Sequence, residues 1–247
     1  MKKDAERYLA LGYHCKFFEF QGRSGVMVCP KNARPGNTWI WRTEFFGCFD
    51  YADLALLEKG WYVVYVRMSD WYGAPEIINF MEEFYSYAVN TLSLNQKADL
   101  FGFSRGGLYA VNFAVKNPEK VRTLYLDAPV IDLASWPGGF YGTSPHLQKE
   151  WNEACAAYRM KNEGLKKYKE GLSKKFEVLY ENHIPLLLVA GMEDCEVPYE
   201  ENGALLEDFM TQRQNQCFKV LKKLHCAHHP HSLENPEEIV KFVMERG

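Results

Sequence analysis

The stretch Phe101-Gly102-Phe103-Ser104-Arg105-Gly106-Gly107 constrains this chain more than any other. It joins an apolar run, Ala98 to Phe103, to a helical pattern, Gly107 to Val115, and so reads as strand, tight turn and helix with Ser104 at the apex. The spacing Gly102-x-Ser104-x-Gly106 is that of a nucleophile elbow. Passing from strand to helix within one residue forces Ser104 into a strained backbone conformation, and side chains two before and two after it would collide. The hydroxyl then points away from both elements, and the helix start offers backbone N–H groups to a developing negative charge. By composition alone the pattern arises in roughly one chain in ten, so its context has to carry the weight.

That context is strands alternating with helices. Residues 14–20 and 26–29 read as two strands around a turn, and Pro30 to Gly36 as a loop. A helix over 50–59 stops at Gly60, and Trp61 to Val66 is an apolar, buried strand. Pro75 opens a long helix to about Leu94, and the helix after the elbow ends before Asn117-Pro118. Further strands are expected at Val121 to Leu126, Leu186 to Ala190 and Phe218 to Leu221. A helix falls near Glu200 to Gln214, and a last one is capped by Asn235, with Pro236 first and Glu238 placed for a capping box. This alternation predicts an α/β domain with a mostly parallel sheet covered on both faces. The whole chain, 1–247, reads as that single domain, with 130–180 as a helical lid inserted over the strand ends.

In such a sheet, ligands sit beyond the carboxyl ends of the strands. There the chain has Gly191-Met192-Glu193-Asp194-Cys195-Glu196-Val197-Pro198 and, after the last strand, His225-Cys226-Ala227-His228-His229-Pro230-His231. These segments and Gly102-Phe103-Ser104-Arg105-Gly106-Gly107 resemble the α/β-hydrolase superfamily in its esterase and serine-hydrolase branch. The resemblance covers nearly the whole chain from about residue 14. It implies Ser104 as nucleophile, a histidine as proton shuttle and Asp194 as the acid that orients it. Ala227-His228 fits the family's histidine best, ahead of His229 and His231; Asp132 is the alternative acid. The oxyanion hole is expected from the backbone N–H of Arg105 and one from the loop after the Val26 strand, Lys31 or Asn32, since Pro30 cannot donate.

Trp41, Trp71, Tyr72 and Trp136 follow strands and are expected to line the mouth of the site, where flat apolar faces suit a sugar ring or an aryl group. Arg42, Glu44, Arg67 and Asp70 read as paired ions bracing the same loops. The histidine tract invites a metal, but its spacing matches no firm zinc motif and no second ligand cluster follows another strand, unless Cys195 and Glu196 count. Neither a metal nor a cofactor is expected.

Net charge is −3, which argues against nucleic-acid or anionic-membrane partners. Seven cysteines without CxxC pairing, and no apolar segment behind the charged N-terminus, point to a reducing cytoplasm. The expected partner is a small-molecule ester, hydrolysed through an acyl-enzyme; a homodimer could also use the aromatic surface. The competing readings are a prolyl-oligopeptidase-like peptidase and a slow or non-catalytic ligand sensor on the same fold.

Overall fold

The computed structural model describes residues 1–246. Its eight strands are β1 (His14–Phe20), β2 (Arg23–Cys29), β3 (Trp39–Arg42), β4 (Tyr62–Val66), β5 (Ala98–Phe103), β6 (Val121–Asp127), β7 (Leu186–Gly191) and β8 (Phe218–Lys223). They form one sheet in the order β1-β2-β4-β3-β5-β6-β7-β8. β1 and β2 make an antiparallel hairpin, β2 is antiparallel to β4, and all the remaining pairs are parallel. The helices are α1 (Glu6–Ala10), α2 (Tyr51–Glu58), α3 (Pro75–Asn90), α4 (Gly106–Lys116), α5 (Gln148–Tyr158), α6 (Asn162–Leu165), α7 (Leu172–Glu181), α8 (Gly203–Gln212) and α9 (Glu237–Arg246). This is the α/β-hydrolase fold the sequence led us to expect.

Strand alternation divides the core into two layers. Trp39, Trp41, Val64, Leu100, Leu124 and Leu188 face a cluster under α3, α4, α7 and α8. Ile40, Val63, Phe101, Phe103, Tyr125 and Val189 face the opposite cluster, closed by α2 and α9. Successive residues of a strand point to opposite faces, so a run apolar at every position is one buried on both sides.

Several expectations change here. β3 lies where a loop was expected, between β4 and β5 and parallel to both, so the chain leaves it at the same sheet end as Ser104. Trp41 therefore belongs to the core, not to the mouth of the site. It is fully buried and packs against Phe84 and Phe113, with ring centroids 5.2 and 5.0 Å away. The helix expected to reach Leu94 ends at Asn90. Asn235 does cap α9, its Oδ1 accepting from the Glu237 amide at 3.2 Å, but the Glu238 carboxylate pairs with Lys219 instead of closing a capping box.

Within 130–180, the last helix packs against α4 and α8 as an ordinary crossover from β6 to β7. The segment 133–171 precedes that helix. It is tied down at Tyr72: Tyr158 donates to the Tyr72 carbonyl at 2.9 Å, and the Tyr72 hydroxyl donates to Glu153 at 2.7 Å. Tyr72 itself is fully buried, so it braces that segment and offers no open face to a ligand. No helix among the described residues is long and apolar enough to cross a membrane.

Candidate active site

Ser104 leaves β5 with φ +47°, the left-handed strain that a one-residue strand-to-helix turn imposes. The fit around it is close. A Cβ on Gly102 would stand 2.8 Å from the Ala110 methyl, and one on Gly106 would stand 3.0 Å from Thr43 Oγ1. The elbow is also sewn to the neighbouring strand: the Ser104 amide donates to Asp127 O at 3.0 Å, and Val130 N donates to Ser104 O at 2.9 Å.

The ends of β7 and β8 bring the other two groups alongside. Met192 N donates to Lys223 O at 3.0 Å and Glu193 N to Cys226 O at 2.9 Å, so the loops after both strands run together past the sheet edge. Asp194 then turns back on itself, its Oδ1 accepting from the amides of Glu196 and Val197, both at 2.9 Å. Its free Oδ2 stands 2.7 Å from His228 Nδ1, and His228 Nε2 stands 2.9 Å from Ser104 Oγ. Ser104, His228 and Asp194, far apart in the chain, thus form one continuous hydrogen-bonded line. His229 is exposed beside Phe49, and His225 is exposed beside Glu193. Asp132 touches no histidine; its carboxylate takes the Tyr141 hydroxyl at 2.7 Å and the Ala134 amide at 2.9 Å.

His231 belongs to a second pair, with Nδ1 3.1 Å from Asp127 Oδ1. Asp127 is fully buried and also accepts from Tyr125 Oη at 2.6 Å and the Ser232 amide at 2.8 Å. Burial pushes the His231 pKa below its ordinary value of 6.5, against the pull of Asp127. The Asp127 carboxyl is held below the usual range by His231 and Lys223 despite its own burial. A depressed histidine pKa means the unfolded chain takes up the proton first. Its contribution is therefore complete above about pH 6.5 and is lost as the pH falls from there toward the lowered value. Urea midpoints measured from pH 7.5 to 5.5 are expected to fall, and His231→Gln, which keeps a donor for Asp127, is expected to flatten that slope.

Lys31 and Asn32, expected as the second oxyanion donor, lie away from the elbow. Because β2 runs antiparallel to β4, its end lies at the amino ends of the parallel strands. Lys31 sits with its ammonium 5.0 Å from the Tyr13 ring centroid, and Asn32 lies against Gly60, just before β4. The loop that does approach the elbow follows β3. The Thr43 amide is taken by Phe101 O at 3.1 Å, whereas the amides of Glu44 and Phe45 have no acceptor among the described residues. Arg42, fully buried, holds this loop by donating to Phe45 O at 2.8 Å and Cys48 O at 2.9 Å. The Arg105 guanidinium pairs with Glu44 at 3.5 Å and Asp70 at 3.4 Å, Arg42 faces Asp53 at 3.6 Å, and Arg67 reaches Asp4 at 3.7 Å. These are charges bracing loops, as expected of them. Of the four aromatic residues expected at the rim, Trp71 and Trp136 remain partly exposed.

Comparison with known proteins places these features in a family. A family described as "Putative esterase" matches residues 58–234. No curated protein matches the sequence. Among solved structures, the Porphyromonas gingivalis dipeptidyl peptidase 4 superposes with a TM-score of 0.68 at 15% identity, over 95% of this chain and 35% of the peptidase. A Pyrococcus horikoshii acylaminoacyl peptidase gives 0.66 at 13% identity, over 98% of this chain and 43% of that one. This chain thus spans less than half the length of either peptidase. Est1E from Butyrivibrio proteoclasticus matches end to end, with a TM-score of 0.62 at 18% identity over 94% of this chain and 98% of that one.

Proposed function

This chain belongs to the esterase family matched above, and from that premise we propose that it cleaves a carboxylic ester through a covalent acyl-enzyme at Ser104. One observation carries the reading: His228 bridges Ser104 and Asp194 at 2.9 and 2.7 Å. Ser104 Oγ attacks the ester carbonyl while His228 Nε2 takes its proton. Asp194 keeps the proton of His228 on Nδ1 and stabilises the imidazolium that forms. The carbonyl oxygen becomes an oxyanion, received by the Arg105 amide and by the Glu44 or Phe45 amide in place of Lys31 or Asn32. His228 next protonates the departing alcohol, leaving the acyl group on Ser104. Water then attacks that acyl group, its proton passing to His228, and Ser104 recovers its hydroxyl as the acid leaves.

Trp71 and Trp136 are the aromatic faces we assign to the rim, where an aryl or sugar ester would lie. Residues 133–171 are the cap we assign over the strand ends. The match to Est1E, at 18% identity over 94% of this chain, extends to the fold. The peptidase likeness, at 15% identity or less, extends to the fold. Esters and amides separate the two chemistries. With p-nitrophenyl acetate and butyrate set against Gly-Pro-p-nitroanilide, repeated turnover of the esters is expected, with kcat/KM at least a thousandfold above the amide. Faster turnover of the nitroanilide would replace this reading with a peptidase.

A further inference from the structure

The three histidines past β8 form a compact group that ester hydrolysis does not use in full. The rings of His228, His229 and His231 stand with centroids 4.8 to 4.9 Å apart, pair by pair. One nitrogen from each can be chosen so that all three lie within 4.8 Å of one another. Two of the three already have the outer support that metal-binding histidines require. His228 has Asp194 at Nδ1, and His231 has Asp127 at Nδ1, so in each ring Nε2 carries the lone pair. His229 is exposed, its ring stacked on Phe49 at 5.4 Å, and its side chain has no hydrogen-bond partner among the described residues, so no hydrogen bond has to break for it to turn. Tetrahedral zinc with three imidazoles holds their nitrogens about 3.3 Å apart. Nitrogens within 4.8 Å of one another have at most roughly 1.5 Å to close to reach that spacing.

We propose that His228, His229 and His231 form an inhibitory binding site for a borderline divalent transition-metal ion, Zn²⁺ being the probe. A water completes the tetrahedron. Imidazole nitrogen suits zinc, whereas Mg²⁺ and Ca²⁺ demand oxygen ligands that these residues do not supply. The consequence for the reaction is direct. The lone pair on His228 Nε2 either accepts the Ser104 proton or binds the ion, and cannot do both. Occupancy and turnover therefore exclude each other, with no bond made or broken beyond coordination. The inhibition rests on the esterase reading, but the binding does not.

Calorimetric titration with ZnCl₂ in a non-chelating buffer tests the binding, using Ser104→Ala so that turnover plays no part. One ion per chain is expected. Affinity is expected to fall at least tenfold in Ser104→Ala/His229→Ala and to stay unchanged in Ser104→Ala/Cys226→Ser. With the wild-type chain, Zn²⁺ should inhibit ester hydrolysis reversibly, EDTA restoring the rate and Mg²⁺ having no effect. His229→Ala should keep the basal rate while raising the inhibitory concentration at least tenfold. No stoichiometric binding, or binding and inhibition indifferent to His229→Ala, would overturn the proposal. A chain that binds zinc through these histidines yet hydrolyses no ester would refute the esterase and leave the site standing.

Discussion

Ser104→Ala is expected to lower kcat for ester hydrolysis by about 10⁴- to 10⁶-fold while leaving the fold intact. That is about 5–8 kcal/mol of lost transition-state stabilisation. The size follows from the removal of the covalent route, because His228 then has no hydroxyl to deprotonate. What remains is the contribution of substrate binding and the oxyanion donors. Alanine keeps the Cβ and leaves φ at +47°, so the elbow loses its chemistry without losing its shape. Circular dichroism and the melting temperature should match the wild type. A residual rate within tenfold of wild type would assign the hydrolysis to another group.

Asp194→Asn is expected to cost about 10³- to 10⁴-fold in kcat. The carboxylate Oδ2 accepts from His228 Nδ1 at 2.7 Å and so fixes the tautomer whose Nε2 faces Ser104. An amide at this position can turn its NH₂ toward Nδ1. The ring proton then moves to Nε2, where it can no longer receive the proton from the hydroxyl. Oδ1 is held by two backbone amides, so the loop has a reason to keep its course in the variant. Asp132→Asn is the control. Its carboxylate serves Tyr141 and Ala134, and the rate should change by less than about threefold. A large loss at Asp132 with none at Asp194 would reverse the two assignments.

What could be read before folding was the part in which local chemistry fixes geometry. An apolar run ending in Gly-x-Ser-x-Gly points to an elbow, because glycine meets the 2.8 and 3.0 Å approaches at Gly102 and Gly106 without any shift of the neighbours. The order Ser, Asp, His and the place of the last two segments after strands were legible, whereas Asp194 and His228 in particular were implied by the family resemblance. What was lost turns on a four-residue strand. Trp39-Ile40-Trp41-Arg42 follows a loop with Pro30, Pro35 and Gly36, ends in an arginine, and is too short to show a period with conviction. Its signal was three apolar residues in a row, which a strand buried on both faces requires.

Without that strand, the second oxyanion donor falls to Lys31 or Asn32, at the wrong end of the sheet. Trp41 likewise falls at a rim when it belongs to the core. The Asp127 and His231 pair was hidden for a different reason. A carboxylate at the end of an apolar strand looks like an ordinary boundary until the return of the chain from β8 brings a ring to it. Long-range pairing of that kind leaves no local mark.

A single labelling experiment bears on the premise that Ser104 is the reacting atom's owner. The protein is treated with a fluorophosphonate probe, weighed intact, digested and mapped. One adduct per chain on Ser104 is predicted, absent in Ser104→Ala and slowed at least a hundredfold in His228→Ala. An adduct that persists in Ser104→Ala, or ester turnover by a protein whose Ser104 never reacts, would contradict it.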